Sequence, residues 1–290
     1  MINKEASIRA HLKTEAARRG ISFQYATLLY MHEGLLRRLA ASPYADRFVL
    51  KGGLLLQCLS AYFARTTKDI DLLGMGIPND SDRLEAAFRI ICQSNQDDAL
   101  YFDSESLGIE EINEAGNYHG ARVRVACNLG NIHNVVQVDI AFDDAVEAPL
   151  NEIEYPTLLN SLHFNLLTYP LASVIAEKFE TMIALGDINS RMKDFWDVAY
   201  LLGNYNFTDE ELLVALKATF QRRNTPMPED PSVFASDFEN SKVLVNRWQA
   251  FLRRTLVPHQ DWNEVLAVIR TRLSPLYEEI RSTRTREIRE

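Results

Sequence analysis

The chain has 290 residues, 47% of them hydrophobic, with a net charge of −9 and a pI near 5.3. That length and apolar share suffice for one large or two modest globular domains, while the acidic balance disfavours tight nonspecific nucleic-acid binding, which needs clustered positive charge to release counterions. No run approaches the roughly 18 to 20 uninterrupted apolar residues of a membrane span, and the opening MINKEASIRAHLKTEAARRG has no apolar signal core, so a cytoplasmic location is expected. Residues 4–43 read as two helices broken near Gly20, the second carrying Ala26, Leu29, Met31, Leu35, Leu36 and Leu39 as an apolar stripe. Phe48, Val49 and Leu50 then lead into Gly52-Gly53 and an apolar helix over 54–63. Residues 68–73 alternate as a strand does, with Ile70 and Leu72 on one face and Asp69 and Asp71 on the other. A helix is predicted over 81–93, and 98–120 are polar with no clear period.

The stretch ARVRVACNLGNIHNVVQVDIAFDD predicts a hairpin: Val123, Val125 and Cys127 alternate, an Asn/Gly-rich turn follows, and Val136, Val138, Ile140 and Phe142 alternate on the return. Asp139 falls on the opposite face from those four. A carboxylate there is costly to bury unless it is paired, hydrogen-bonded or metal-bound. Beyond Pro149 and Pro156 the chain reads as helical to its end, with Pro170 in the first turn of a helix that Gly186 stops and a further helix from near Ser190 to Gly203. Thr208 with Glu211, and Asp261 with Glu264, have capping-box spacing and mark two more helix starts. A domain boundary is expected near residue 155, between a mixed sheet-and-helix part over 1–155 and a helical part over 156–290, which makes the fold class α+β.

Cys58, Cys92 and Cys127 lie far apart without paired spacing, as buried reduced thiols do, and the six histidines have no metal-ligand spacing. Six basic groupings, Arg18-Arg19, Arg37-Arg38, Arg65 with Lys68, Arg191 with Lys193, Arg222-Arg223 and Arg253-Arg254, read mostly as solvated helix faces.

Chemistry concentrates in two places. A lone D-x-D is weak in a chain with 40 acidic residues. Here, however, it follows a glycine pair at a helix N-terminus, where free backbone N–H groups and the helix dipole favour an anion. Asp139 lies on a matching face if its strand pairs with that of Asp69 and Asp71. Three carboxylates and a phosphate cradle are the parts of two-metal phosphoryl or nucleotidyl transfer, and a solvated acidic rim is the plainer alternative. The second place is PLASVIAEKFETMIALG, where Lys178 sits within the apolar stripe of Leu171, Val174, Ile175, Met182 and Leu185. Such a lysine needs an anionic partner, either a structural carboxylate or a nucleotide triphosphate. The residues alone leave the two even; the expectation taken forward is the open cleft, under which Lys178→Met should leave stability unchanged or raised. Asp194 and Asp197 follow on one helix face, beside Arg191 and Lys193.

Taken in order, FVLKGGLLL with RTTKDIDLL, then VVQVDIAF, then AEKFETMIALGDINSRMKDFWDVAYLL, resemble the AbiEii/AbiGii-type nucleotidyltransferase toxins of the DNA polymerase β-like nucleotidyltransferase superfamily. The resemblance covers most of the chain and implies a nucleotidyltransferase-like mixed sheet with flanking helices plus a C-terminal helical domain. It implies that Gly52 and Gly53 cradle phosphates, that Asp69 and Asp71 bind Mg²⁺ with Asp139 as the third carboxylate, and that Lys178 meets the triphosphate. Asp194 becomes a further catalytic acid, and Arg65, Lys68 and Arg191 become nucleotide-binding candidates. Two departures stand out: fifteen residues separate Gly53 from Asp69, a longer interval than usual, and glycine stands where many relatives have serine. The activity implied is Mg²⁺-dependent transfer of a nucleoside monophosphate from an NTP to an acceptor hydroxyl, in a toxin–antitoxin or phage-defence setting. The implied acceptor is RNA, with tRNA as the candidate, and the implied partner a cognate antitoxin. A small cationic acceptor such as an antibiotic, and a catalytically silent nucleotide-binding or interaction module, are the competing readings.

Overall fold

A computed structural model describes residues 4–60, 67–114, 118–142, 149–160, 162–255 and 257–287. The described residues fall into two compact units, the first holding the strands and the second the helices from Leu171 onward.

The first unit begins with α1 (Lys4–Arg19) and α2 (Phe23–Ala40), separated by Gly20 in the left-handed region at φ +66°. Ser22 caps α2 by accepting from the Tyr25 N–H at 3.1 Å. There follow β1 (Phe48–Lys51), α3 (Gly52–Leu59), β2 (Ile70–Gly74), α4 (Ser81–Gln93), β3 (Tyr101–Glu114), β4 (Tyr118–Leu129), β5 (Ile132–Phe142), β6 (Asn151–Glu154) and β7 (Asn165–Thr168). They form a seven-stranded mixed sheet in the order β3-β4-β5-β2-β1-β7-β6. β2 runs parallel to β5 and β1 parallel to β7, and the other pairs are antiparallel. Ile70, Leu72, Val123, Val125, Val136, Val138 and Ile140 are buried along it, and Phe48 meets Phe88 of α4 edge-on at 5.5 Å.

Two expectations are corrected here. β7 lies in a stretch read as helical, because four residues are too few to display a period of two and their burial depends on pairing with β1. Arg37 and Arg38 are not a solvated face: both are buried, at 4% and 3% exposure, as is Asp98 at 0%. Asp98 accepts from Arg37 at 2.8 Å and from Arg38 at 2.6 and 3.0 Å, while Glu33 accepts from Arg37 and from the Leu158 N–H. The network ties α2 to the chain entering β3. Glu33 is local to Arg37, but Asp98, the acid that holds both arginines, is some sixty positions away in a segment without periodicity, so the sequence around them does not signal it.

In the second unit α5 (Leu171–Leu185) ends at Gly186, with φ +47°, and leads through a short 3₁₀ turn to α6 (Met192–Asn204). α7 (Asp209–Arg222) starts with a complete capping box between Thr208 and Glu211. α8 (Ser236–Asn240), α9 (Lys242–Arg254) and α10 (Trp262–Glu287) complete it. Its core holds two aromatic groups, Phe179 with Phe220, Phe234 and Tyr277, and Phe195 with Phe238, Trp248 and Trp262. No helix among the described residues is long and apolar enough to cross a membrane.

Candidate active site

Strand register places one row of charge across the sheet. Asp71 of β2 is in register with Asp139 of β5, and Lys51 of β1 lies opposite Asp71. Arg122 of β4 lies opposite Asp139, and Glu110 of β3 opposite Arg122. Registered partners share a face of a pleated sheet, so the row reads Glu110, Arg122, Asp139, Asp71, Lys51, on the face opposite Ile70, Val138 and Val123.

Asp71 owes its position to glycine. Gly52 has φ +65°, and a Cβ on it would lie 2.0 Å from Asp71 Oδ2. Gly53 N–H donates to the same oxygen at 3.2 Å. The N-terminus of α3, the expected phosphate cradle, is therefore occupied by the protein's own carboxylate. Asp69 Oδ1 accepts from the Thr67 hydroxyl at 3.0 Å and from the Lys68 N–H at 3.3 Å, while the Lys68 side chain is exposed. Burial, and then the charge of Asp69, push the Asp71 carboxyl above the usual carboxylate range; the Gly53 N–H and Lys51 pull it down, and Asp139 adds a small push upward. Gly52→Ala should cost about 1–2 kcal/mol for the left-handed backbone alone and should also displace Asp71. A chemical-denaturation midpoint equal to that of the parent would show that this approach is looser.

Asp139 shares the face of Asp71, as strand alternation predicts, but both its oxygens are engaged. Arg122 Nε donates to Oδ1 and Nη2 to Oδ2, each at 2.7 Å. Among the described residues no group of three or more His, Cys, Asp or Glu side chains is gathered closely enough to hold a metal ion. Arg122 is the residue that sequence reasoning missed. Its signal was present in A-R-V-R-V, where Arg122 and Arg124 occupy the polar face of a strand predicted to pair with that of Asp139. Arg65 lies outside the described residues. Asp69, just before β2, and Asp71 within it are the hard oxygen donors left to consider for a divalent cation, which would offset the burial and the Asp69 charge that push the Asp71 carboxyl up.

In the second unit Lys178 of α5 is not in an open cleft, which corrects that expectation. Its ammonium lies 2.6 Å from Asp194 and 2.9 Å from Asp197 of α6, both fully buried, and its own side chain is 12% exposed. Arg191 joins through Nε at 2.6 Å from Asp194 and remains 45% exposed. The apolar stripe of α5 can carry the lysine because the facing helix supplies two carboxylates.

His32, at 0% exposure, has neither ring nitrogen hydrogen-bonded, and burial lowers its pKa to about 4 against the opposing pull of Asp69. A cavity of about 690 Å³ in the first unit, lined by residues including Arg37, Asp46, Glu152, His163 and Phe164, includes none of the candidate carboxylates.

Over residues 34–268 the sequence matches the family described as "Nucleotidyl transferase AbiEii toxin, Type IV TA system", which makes the protein a nucleotidyltransferase. The chain belongs to this AbiEii family of toxins from type IV toxin–antitoxin systems, which implies a nucleoside triphosphate substrate and an antitoxin partner. Two solved structures are similar at 17% identity and a TM-score of 0.49 each. One is JHP933 from Helicobacter pylori, covering 93% of this chain and 99% of its own; the other is a proposed nucleotidyltransferase from H. pylori, covering 91% and 99%. No curated protein matches the chain in sequence.

Proposed function

We propose that the protein transfers a nucleoside monophosphate from an NTP to a hydroxyl of an RNA acceptor, with tRNA as the foremost candidate, in a type IV toxin or phage-defence setting. The observation that supports this most is the pairing of Asp71 and Asp139 in register beside the glycine-started α3. The acceptor oxygen attacks the α-phosphorus, the bond from that phosphorus to the bridging oxygen breaks, pyrophosphate leaves, and the hydroxyl proton passes to solvent. Asp69 and Asp71 would hold Mg²⁺, whose chemistry is to neutralise phosphate charge and ease deprotonation of the attacking hydroxyl. Gly52, lacking a Cβ, leaves room for the Asp71 carboxylate at the entry to α3. Within the second unit Arg191 is half-exposed while Lys178 is held by two aspartates, which leaves Arg191 as that unit's candidate for binding an anion. Incubation with each α-labelled NTP, Mg²⁺ and total RNA should put label into RNA of tRNA size. Label entering only a small molecule would favour the antibiotic-type alternative, and no labelled product at all would favour the silent module.

A further inference from the structure

The charged row contains two cations, Arg122 and Lys51, and Arg122 is paired to a candidate carboxylate, Asp139. Arg122 and Asp139 form a two-pronged pair with both carboxylate oxygens used, and the pair is only partly exposed, at 30% and 21%. Asp139 is also the in-register neighbour of Asp71. Each oxygen of Asp139 keeps a second lone pair, but the bidentate guanidinium fixes the carboxylate's orientation and holds a full positive charge against it, so a cation that takes Asp139 as a third ligand meets the repulsion of Arg122. Arg124, two positions along and on the same face, bonds Glu110 and Gln137 instead, so the engagement of Asp139 belongs to Arg122 specifically.

We propose that Arg122 is an internal competitor for the metal: it holds Asp139 in a bidentate pair, and a divalent cation gains the full charge of the third carboxylate by displacing it. The proposal rests on the reading that Asp69 and Asp71 hold the cation, and it adds a regulator to that site. Cation binding then carries the cost of parting one bidentate pair, which weakens affinity. The displaced guanidinium, left on the same face, becomes available to an incoming phosphate. Catalytic charge is thereby assembled when nucleotide and metal arrive together, and the resting protein avoids three mutually repelling carboxylates.

Titration calorimetry with Mn²⁺ on the full chain, without nucleotide, tests this independently of turnover. Arg122→Ala should bind Mn²⁺ about tenfold more tightly than the parent, the scale expected for releasing one such pair. Arg122→Gln, which keeps most of the stem over the sheet, should do the same if the alanine variant folds poorly. Adding Asp139→Asn to either should abolish the gain. Arg124→Ala removes an equal charge from the same face and should leave the affinity within about twofold, as a site off the direct pair does. An equal gain in Arg124→Ala would overturn the proposal in favour of general electrostatics, as would unchanged or weakened binding in both Arg122 variants. Absence of Mn²⁺ binding in every variant would overturn the metal reading of Asp69 and Asp71 along with it.

Discussion

Replacing Lys178 with methionine is expected to destabilise the second unit by about 3 to 5 kcal/mol, the cost of removing one partner from a buried ion pair. The ammonium group lies against Asp194 and Asp197, neither of which has solvent to turn to, and Arg191 can compensate only Asp194. Burial pushes the Asp194 carboxyl up, but the charges of Lys178 and Arg191 outweigh it and hold it down at about 2. A carboxyl whose folded pKa is depressed contributes stability above its unfolded value of about 3.9, and that contribution is lost as pH falls toward the folded value. The gap between parent and variant in urea denaturation should therefore be widest near neutrality and should narrow between pH 4 and 2. A variant as stable as the parent at pH 7 would show that the two aspartates have other sources of neutralisation.

Asp71→Asn should act in the opposite sense on the first unit. The side-chain volume is kept and an amide oxygen can still accept from the Gly53 N–H, while a charge that burial and Asp69 both disfavour is removed. Because the folded pKa is raised, the ionised aspartate costs stability once pH rises through the unfolded and then the folded value. The variant should thus melt at or above the parent temperature at pH 7, with the advantage disappearing below about pH 4. Nucleotide transfer should fall on the order of 100-fold or more, as happens when one preorganised charge is removed from a reacting centre. Transfer at the parental rate by the purified, folded variant would remove Asp71 from the mechanism.

What the sequence disclosed and what it withheld divide along a physical line. The alternation around Asp69, Asp71 and Asp139 is local and strict, so strand identity and facing could be read from five or six residues, and the matching of β2 to β5 then followed from pairing. The helices with caps or glycine stops, α4, α5 and α7, were equally legible. Partners distant in sequence were not. Arg38 meets Asp98, Lys178 meets Asp194, and Arg122 takes Asp139 across the sheet, and in each case the local context of one member is compatible with several fates. Gly52 was recognised as special, but for phosphate; the approach of Asp71 to its Cα depends on the close antiparallel pairing of β1 with β2 and could not be read from the glycine pair itself.

The row from Glu110 to Lys51 also bears on how the chain finds its alignment. Hydrophobic strands tolerate sliding past one another when both faces are forgiving, but a slip of one residue in β5 would turn Asp139 and Gln137 inward and bring Val138 and Ile140 to the outside. A slip of two would keep the faces correct yet move Asp139 away from Arg122 and offer Gln137 or Ala141 to the guanidinium in its place. The same side chains that crowd the candidate site therefore act as a ruler for the sheet. Mutations that neutralise them should be read for misaligned, aggregation-prone species as well as for lost chemistry.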